Sequence, residues 1–243
     1  MIKLERPPKP DELAENEEKL LHRYLKNKNN VVWREDYIVT ELFSMTHEKC
    51  AYCEKKDYPL EVEHYYCKHK HPKRVVDWEN LLPVCHRCNT QKSDHDCDAE
   101  PIINPAVDYP KDHVKYKNGR FFVRNGSRKG NCTITYLKLD NTNTTGIPRD
   151  TIFNDVDSRI EECIYRLDHL VDDPPVEFEI TCNCVKKLFE LTQKENGFSA
   201  IYATEILEHP RYKELKVKMK DKGIWKKSAI HKLEAYAKSI SLA

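Results

Sequence analysis

Apolar residues recur at helical spacing near the start of the chain, at Leu13, Leu20, Leu21, Tyr24 and Leu25, and predict a helix from Asp11 to about Asn29. Asp11 stands where it can cap that helix, and Glu12, Glu15 and Glu17 fall in first turns that the helix dipole favours. Pro7-Pro8-x-Pro10 ahead of it predicts an extended lead-in. A second apolar face, Ile38, Leu42, Phe43 and Met45, predicts a helix from about Glu35 to Thr46. The helical period then stops. Leu60, Val62 and His64 share one face of a short strand, and Trp78–Val84 predicts a second strand. A helix is expected to begin at Asn89-Thr90-Gln91-Lys92-Ser93. Asn118-Gly119 between β-favouring runs predicts a hairpin over Val114–Val123, and Thr133–Leu139 suggests another strand.

Pro148 is placed to start a long helix, about 149–171, with Ile152, Phe153, Val156, Ile160, Ile164 and Leu167 inward. Pro174-Pro175 ends it. Helices over about 176–195 and 198–207 follow, and then a basic C-terminal helix. The pattern gives an α+β chain, mainly helical, with a small β element. Its segments are an N-terminal helical part (1–49), a central module (50–100), an extended and hairpin stretch (101–147) and a C-terminal helical region (148–243). Both N-terminal helices are expected to pack beside the central module.

With 33% charged and 39% hydrophobic residues, the chain reads as a soluble globular protein. No stretch approaches the ~18 apolar residues of a membrane span, and the N-terminus lacks the apolar run of a signal peptide. The expected location is the cytoplasm, with no membrane partner. Net charge is +1, yet Arg211–Lys238 carries ten Lys and Arg against three Asp and Glu. That segment suits phosphates or an acidic partner, or is simply a solvated face.

Ten cysteines in a reducing compartment call for metal more than for disulfides. Cys50-x-x-Cys53 and Cys85-x-x-Cys88 have knuckle spacing and can set four thiolates around one Zn²⁺. Four thiolates leave no open position, so this zinc is structural. The 31 residues between the knuckles leave room for a functional strand and loop. The other six, Cys67, Cys97, Cys132, Cys163, Cys182 and Cys184, show no second knuckle and read as ordinary thiols.

Between the knuckles stand Glu63-His64, a basic loop Lys68-His69-Lys70-His71-Pro72-Lys73-Arg74, and Trp78-Glu79-Asn80-Leu81-Leu82-Pro83-Val84 leading into Cys85. Asn89-x-x-Lys92-Ser93 follows. These elements, in this order, resemble the HNH endonuclease family over about 46 of the 243 residues. The resemblance implies a zinc-stabilised ββα-metal module, with His64 as the base, Asn80 in the middle position and Asn89 in the third.

Hydrolysis of a phosphodiester needs an activated water and an electrophilic ion. A neutral His64 can take the water's proton. Asn80 can hold the imidazole or its loop in place, and Glu63 and Asn89 offer hard oxygens to Mg²⁺ or Mn²⁺. Asn89 also suits a helix cap. Many family members carry a second histidine where this chain has Ser93, and His95 lies two residues further on. That departure favours Mg²⁺ or Mn²⁺ over a histidine-rich zinc site. Lys68, Lys70, Lys73, Arg74 and Lys92 are the candidate phosphate contacts.

A softer series covers most of the chain. Its parts are Met1-Ile2-Lys3-Leu4-Glu5-Arg6-Pro7, Ile103-Asn-Pro-Ala-Val-Asp-Tyr-Pro, His113-Val-Lys-Tyr-Lys-Asn-Gly, Thr133-Ile-Thr-Tyr-Leu-Lys-Leu-Asp-Asn and Arg149. It resembles the HNH subunits of Septu-type antiphage systems (the PtuB family), also found with some retrons. The resemblance implies a partner ATPase of the ABC/SMC-like kind (PtuA). This chain itself has no Gly-x-x-x-x-Gly-Lys-Ser/Thr loop. DNA is the favoured substrate. RNA such as tRNA, or a non-catalytic zinc module that binds nucleic acid or scaffolds a complex, is the alternative. The Glu63-His64 and Asn80 set argues for catalysis, because a scaffold has no need of it.

Overall fold

The computed structural model describes residues 1–56, 59–140, 148–170, 175–227 and 229–243. It is a mainly helical α+β structure with two small two-stranded sheets. It divides into two compact units, Met1–Val114 with Phe121–Ile147, and Lys115–Arg120 with Pro148–Ala243.

The first unit starts with an extended segment that is pinned to the module. Arg6 donates through Nη1 to the carbonyls of Trp78 and Leu81, and the Trp78 indole donates to the Pro7 carbonyl. Helices α1 (Asp11–Lys26) and α2 (Asp36–Ser44) follow. Pro10 takes the position before α1, so Asp11 is its first helical residue and no side chain caps it. Leu13, Leu20 and Tyr24 of α1 and Ile38 and Leu42 of α2 join Val62, Val75, Val76, Trp78 and Leu81 in one buried cluster. The two helices therefore pack on the central module, as their apolar faces predict.

Strands β1 (Glu61–His64) and β2 (Leu81–Val84) pair antiparallel, with Glu61 opposite Val84 and His64 opposite Leu81. Trp78–Asn80, expected as part of β2, is instead a single 3₁₀ turn that Asp77 caps by accepting from the Glu79 N–H. Helix α3 (His86–Lys92) begins directly after Cys85 and lies on β1.

Strands β3 (Val114–Lys117) and β4 (Arg120–Val123) form the expected hairpin. Asn118 and Gly119 both hold positive φ, 50° and 73°, as a tight hairpin turn requires. The strand expected over Thr133–Leu139 is instead α4 (Arg128–Tyr136). Ser127 caps it at Gly130, and the Thr133 hydroxyl turns back to the Lys129 carbonyl, so local hydrogen bonds outweigh β-branched composition. Gly130 is needed there, since a Cβ would come 2.1 Å from the His113 carbonyl oxygen.

The second unit is helical: α5 (Arg149–Asp168), α6 (Pro175–Glu190), α7 (Ser199–Glu208), α8 (Tyr212–Asp221), α9 (Ile224–Lys227) and α10 (Ile230–Ile240). Helix α5 packs on α6, α7 and α8, and α10 packs on α6, α7 and α9. Residue 171, the expected end of the long helix, and Pro174 lie outside the described residues. The single basic helix expected at the C-terminus is three, broken at Gly223 and Ala229, which both hold positive φ. Much of its charge is paired: Arg211 with Glu161 and Glu214, Lys216 and Lys238 with Glu234, and Lys218 with Asp168. Among the described residues, no helix is long and apolar enough to cross a membrane.

Candidate active site and metal centre

The two knuckles close on one point. The sulfurs of Cys50, Cys53, Cys85 and Cys88 are all buried and lie within 4.8 Å of one another. Cys53 and Cys85 stand 3.7 Å apart. Tetrahedral thiolates at about 2.3 Å from a zinc ion would be separated by about 3.8 Å, so the cluster fits a metal ion such as zinc. Backbone geometry builds the cup. Glu54, in the left-handed region, closes the first turn through its N–H on the Cys50 carbonyl, and the Ala51 N–H ties that turn to the Pro83 carbonyl of β2. Cys85 caps α3, its sulfur accepting from the Cys88 N–H.

His64 ends β1 and is 6% exposed. Its Nε2 lies 2.9 Å from the Val75 carbonyl oxygen, and a carbonyl accepts, so Nε2 carries the proton. No described residue bonds Nδ1. Burial is the main cause that brings the imidazole down from its ordinary value to about 4, assisted by Lys68 and Lys92 and opposed by the Val75 bond. At neutral pH the ring is uncharged. The Trp33 ring meets it edge-on, with centroids 4.9 Å apart.

Asn80 is fully buried and holds the loop that carries Val75. Its Nδ2 donates to the carbonyls of Tyr66 and Arg74 at 3.1 and 3.0 Å, and its Oδ1 accepts from the Tyr66 N–H at 2.7 Å. The Arg74 carbonyl is one peptide away from the Val75 carbonyl. Asn80 thus acts on the loop and not on the ring itself.

Glu63 immediately precedes His64 on β1. Glu63 is buried, accepts from the Tyr52 hydroxyl at 3.0 Å, and pairs with Lys92 at 2.5 Å. The Lys92 ammonium also donates to the His64 carbonyl at 2.8 Å. Burial is the largest single influence on the Lys92 pKa and lowers it, but Glu63, Cys97 and Cys67 together turn the net shift upward. Lys92 was expected at the phosphates. Its side chain is instead wholly buried, because α3 lies on β1 and turns this residue inward. Asn89, one turn earlier, donates through Nδ2 to Glu61 at 2.5 Å, which leaves its Oδ1 with no described partner.

His64 lines a cleft of about 230 Å³, together with Trp33, Arg34, Val62, Glu63, Cys67, Lys68, Asn89, Ser93 and Asp94. A water occupies about 30 Å³ in the liquid, so the cleft has room for a phosphate with several waters. It brings together Glu63, His64, Lys68 and Asn89 among the residues the sequence singles out. It also gathers three that sequence reasoning missed, Trp33, Arg34 and Asp94. Asp94 reaches the wall because Ser93 ends α3 at φ 46°.

His95 is elsewhere: its Nε2 lies 2.6 Å from the Glu100 carbonyl oxygen, and its ring packs on Tyr136. In the basic loop, Lys70 pairs with Asp96 and Arg74 with Asp77. Lys68 sits over the Trp33 ring and lines the cleft, and Lys73 is exposed with no described partner.

No protein-family model matches the chain. The chain is 33% identical over 236 residues to the Septu protein PtuB of Bacillus thuringiensis, a match that covers 93% of this chain and 89% of the relative.

Proposed function

The chain belongs to the Septu PtuB family, and from that premise and the cleft's geometry we propose that it is a metal-dependent HNH (ββα-metal) endonuclease, the nuclease component of an antiphage defence system. One observation carries the reading: a neutral imidazole, locked by a backbone carbonyl on one nitrogen, leaves its other nitrogen free of any described partner and lines a cleft walled by both oxygen donors and cations.

In the proposed reaction His64 Nδ1 takes a proton from the attacking water, and Nε2–H on Val75 keeps the ring in the required tautomer. An incoming phosphate brings negative charge beside the ring, which strengthens it as a base. Asn80 and Lys92 are positioning residues. Asn80 fixes the Val75 loop, and Lys92 fixes the strand end at the His64 carbonyl. Arg34 and Lys68 bind and orient the phosphate.

The donor set fits a hard cation. Asn89 Oδ1, Asp94 and the lone pairs of Glu63 not used by Tyr52 and Lys92 are the groups that would hold Mg²⁺ or Mn²⁺. Such an ion, when bound, polarises the phosphate and neutralises charge on the leaving oxygen. The four cysteines would hold a structural zinc. DNA is the proposed substrate and an ABC/SMC-like ATPase of the PtuA kind the proposed partner.

The test is cleavage by the chain purified with its co-encoded ATPase, using duplex DNA and tRNA with Mg²⁺ or Mn²⁺. DNA fragments that disappear with EDTA are expected. Fragments from tRNA alone would keep the site and change the substrate. No cleavage of either would overturn the proposal.

A further inference from the structure

Two of the thiols that the zinc frame does not use meet in the helical unit. Cys163 on α5 and Cys184 on α6 bring their sulfurs to 3.1 Å, across helices that pack along each other. Cys163 is buried and Cys184 half-buried. We propose that Cys163 and Cys184 are a thiol–disulfide site, in which a small disulfide oxidant such as oxidised glutathione links α5 to α6.

A disulfide needs its sulfurs at about 2.05 Å, so these must close by about 1 Å, within the reach of side-chain rotation. Sequence spacing hides the pair, because the partners are 21 positions apart and on different helices.

The two sulfurs have different roles. Cys184 is the accessible one. The hydrogen bond from Cys163 lowers its pKa most, and the Arg166 guanidinium adds to that, against burial and Glu162. Cys163 is pushed the other way, by its hydrogen bond to Cys184 and by burial. Cys184 as thiolate attacks the oxidant's disulfide and releases one glutathione thiolate, which takes a proton. Cys163 then loses its proton and attacks the Cys184 sulfur of the mixed disulfide, releasing the second glutathione. The chain loses two electrons and two protons, and one oxidised glutathione becomes two reduced ones. The link would close a 21-residue span and restrict the unfolded chain, so the oxidised unit should be the more heat-stable form.

The experiment uses the full chain, in wild-type, Cys182→Ser and Cys184→Ser forms, incubated with oxidised glutathione. Alkylation, digestion with trypsin and mass spectrometry follow. Peptide 160–166, which holds Cys163, should be joined to peptide 167–186, which holds Cys182 and Cys184. The link should persist in Cys182→Ser, vanish in Cys184→Ser and reverse with dithiothreitol. Cys163 fully alkylated after oxidation in wild type and Cys182→Ser, or a link that survives Cys184→Ser, would overturn the proposal. Neither outcome bears on the nuclease reading, since no cleft residue takes part.

Discussion

The Nε2 of His64 donates to the carbonyl of Val75 across 2.9 Å, and this bond decides which ring nitrogen carries the proton. Val75 is itself fully buried in the cluster that α1 and α2 complete. The N-terminal helices thereby help set the tautomer of a histidine that they do not contain.

Nitrogen-15 spectra of His64, assigned by its loss in His64→Gln, are expected to show the neutral Nε2–H form at pH 7 and titration near 4. The stability linkage has a definite sign. A histidine held at about 4 when folded and about 6.5 when unfolded contributes stability above pH 6.5, which is lost as pH falls through 4. The loss is on the order of 3 kcal/mol. Urea titrations of wild type and His64→Gln between pH 7.5 and 4 should differ in slope accordingly. Equal slopes would mean an unshifted ring.

Metal analysis should find about one tightly held zinc per chain. Cys85→Ser should lose the metal and unfold the central module, because Cys85 both joins the cluster and caps α3. Full retention of zinc by that variant would contradict the four-sulfur site.

Lys92→Met should destabilise the chain by about 3–5 kcal/mol, since it strands the buried Glu63 carboxylate. Adding Glu63→Gln should recover part of that loss in a denaturant titration. A fully additive double variant would show that the two groups do not act as a pair.

Binding of duplex DNA in EDTA, measured against salt, separates contact from scaffold. Lys68→Ala and Arg34→Ala should each lower the slope of log affinity on log salt by about 0.9. Lys70→Ala and Arg74→Ala should change it less, because Asp96 and Asp77 already hold those cations. Equal effects at all four would place the DNA along the whole loop instead of at the cleft.

The parts legible in the sequence are those fixed by local pattern. Knuckle spacing alone brings the four cysteines together, and Asn118-Gly119 alone fixes the hairpin. The apolar faces of α1 and α2 predict their packing on the module. Burial was not legible for Lys92, because a lysine three residues after Asn89 faces solvent or strand according to how α3 lies on β1. Arg34 and Asp94 carry no motif; tertiary packing delivers the first to the cleft, and the positive φ of Ser93 the second. Thr133–Leu139 misleads because β-branched residues also serve a capped helix.

The most direct measurement is single-turnover cleavage by wild type and His64→Ala, in Mg²⁺ or Mn²⁺, with zinc content and thermal unfolding recorded beside it. With zinc retained and the variant folded, removal of a general base should slow cleavage by about 10²–10⁴-fold. A folded, zinc-loaded His64→Ala chain that cuts as fast as wild type would contradict the assignment of His64 as the base.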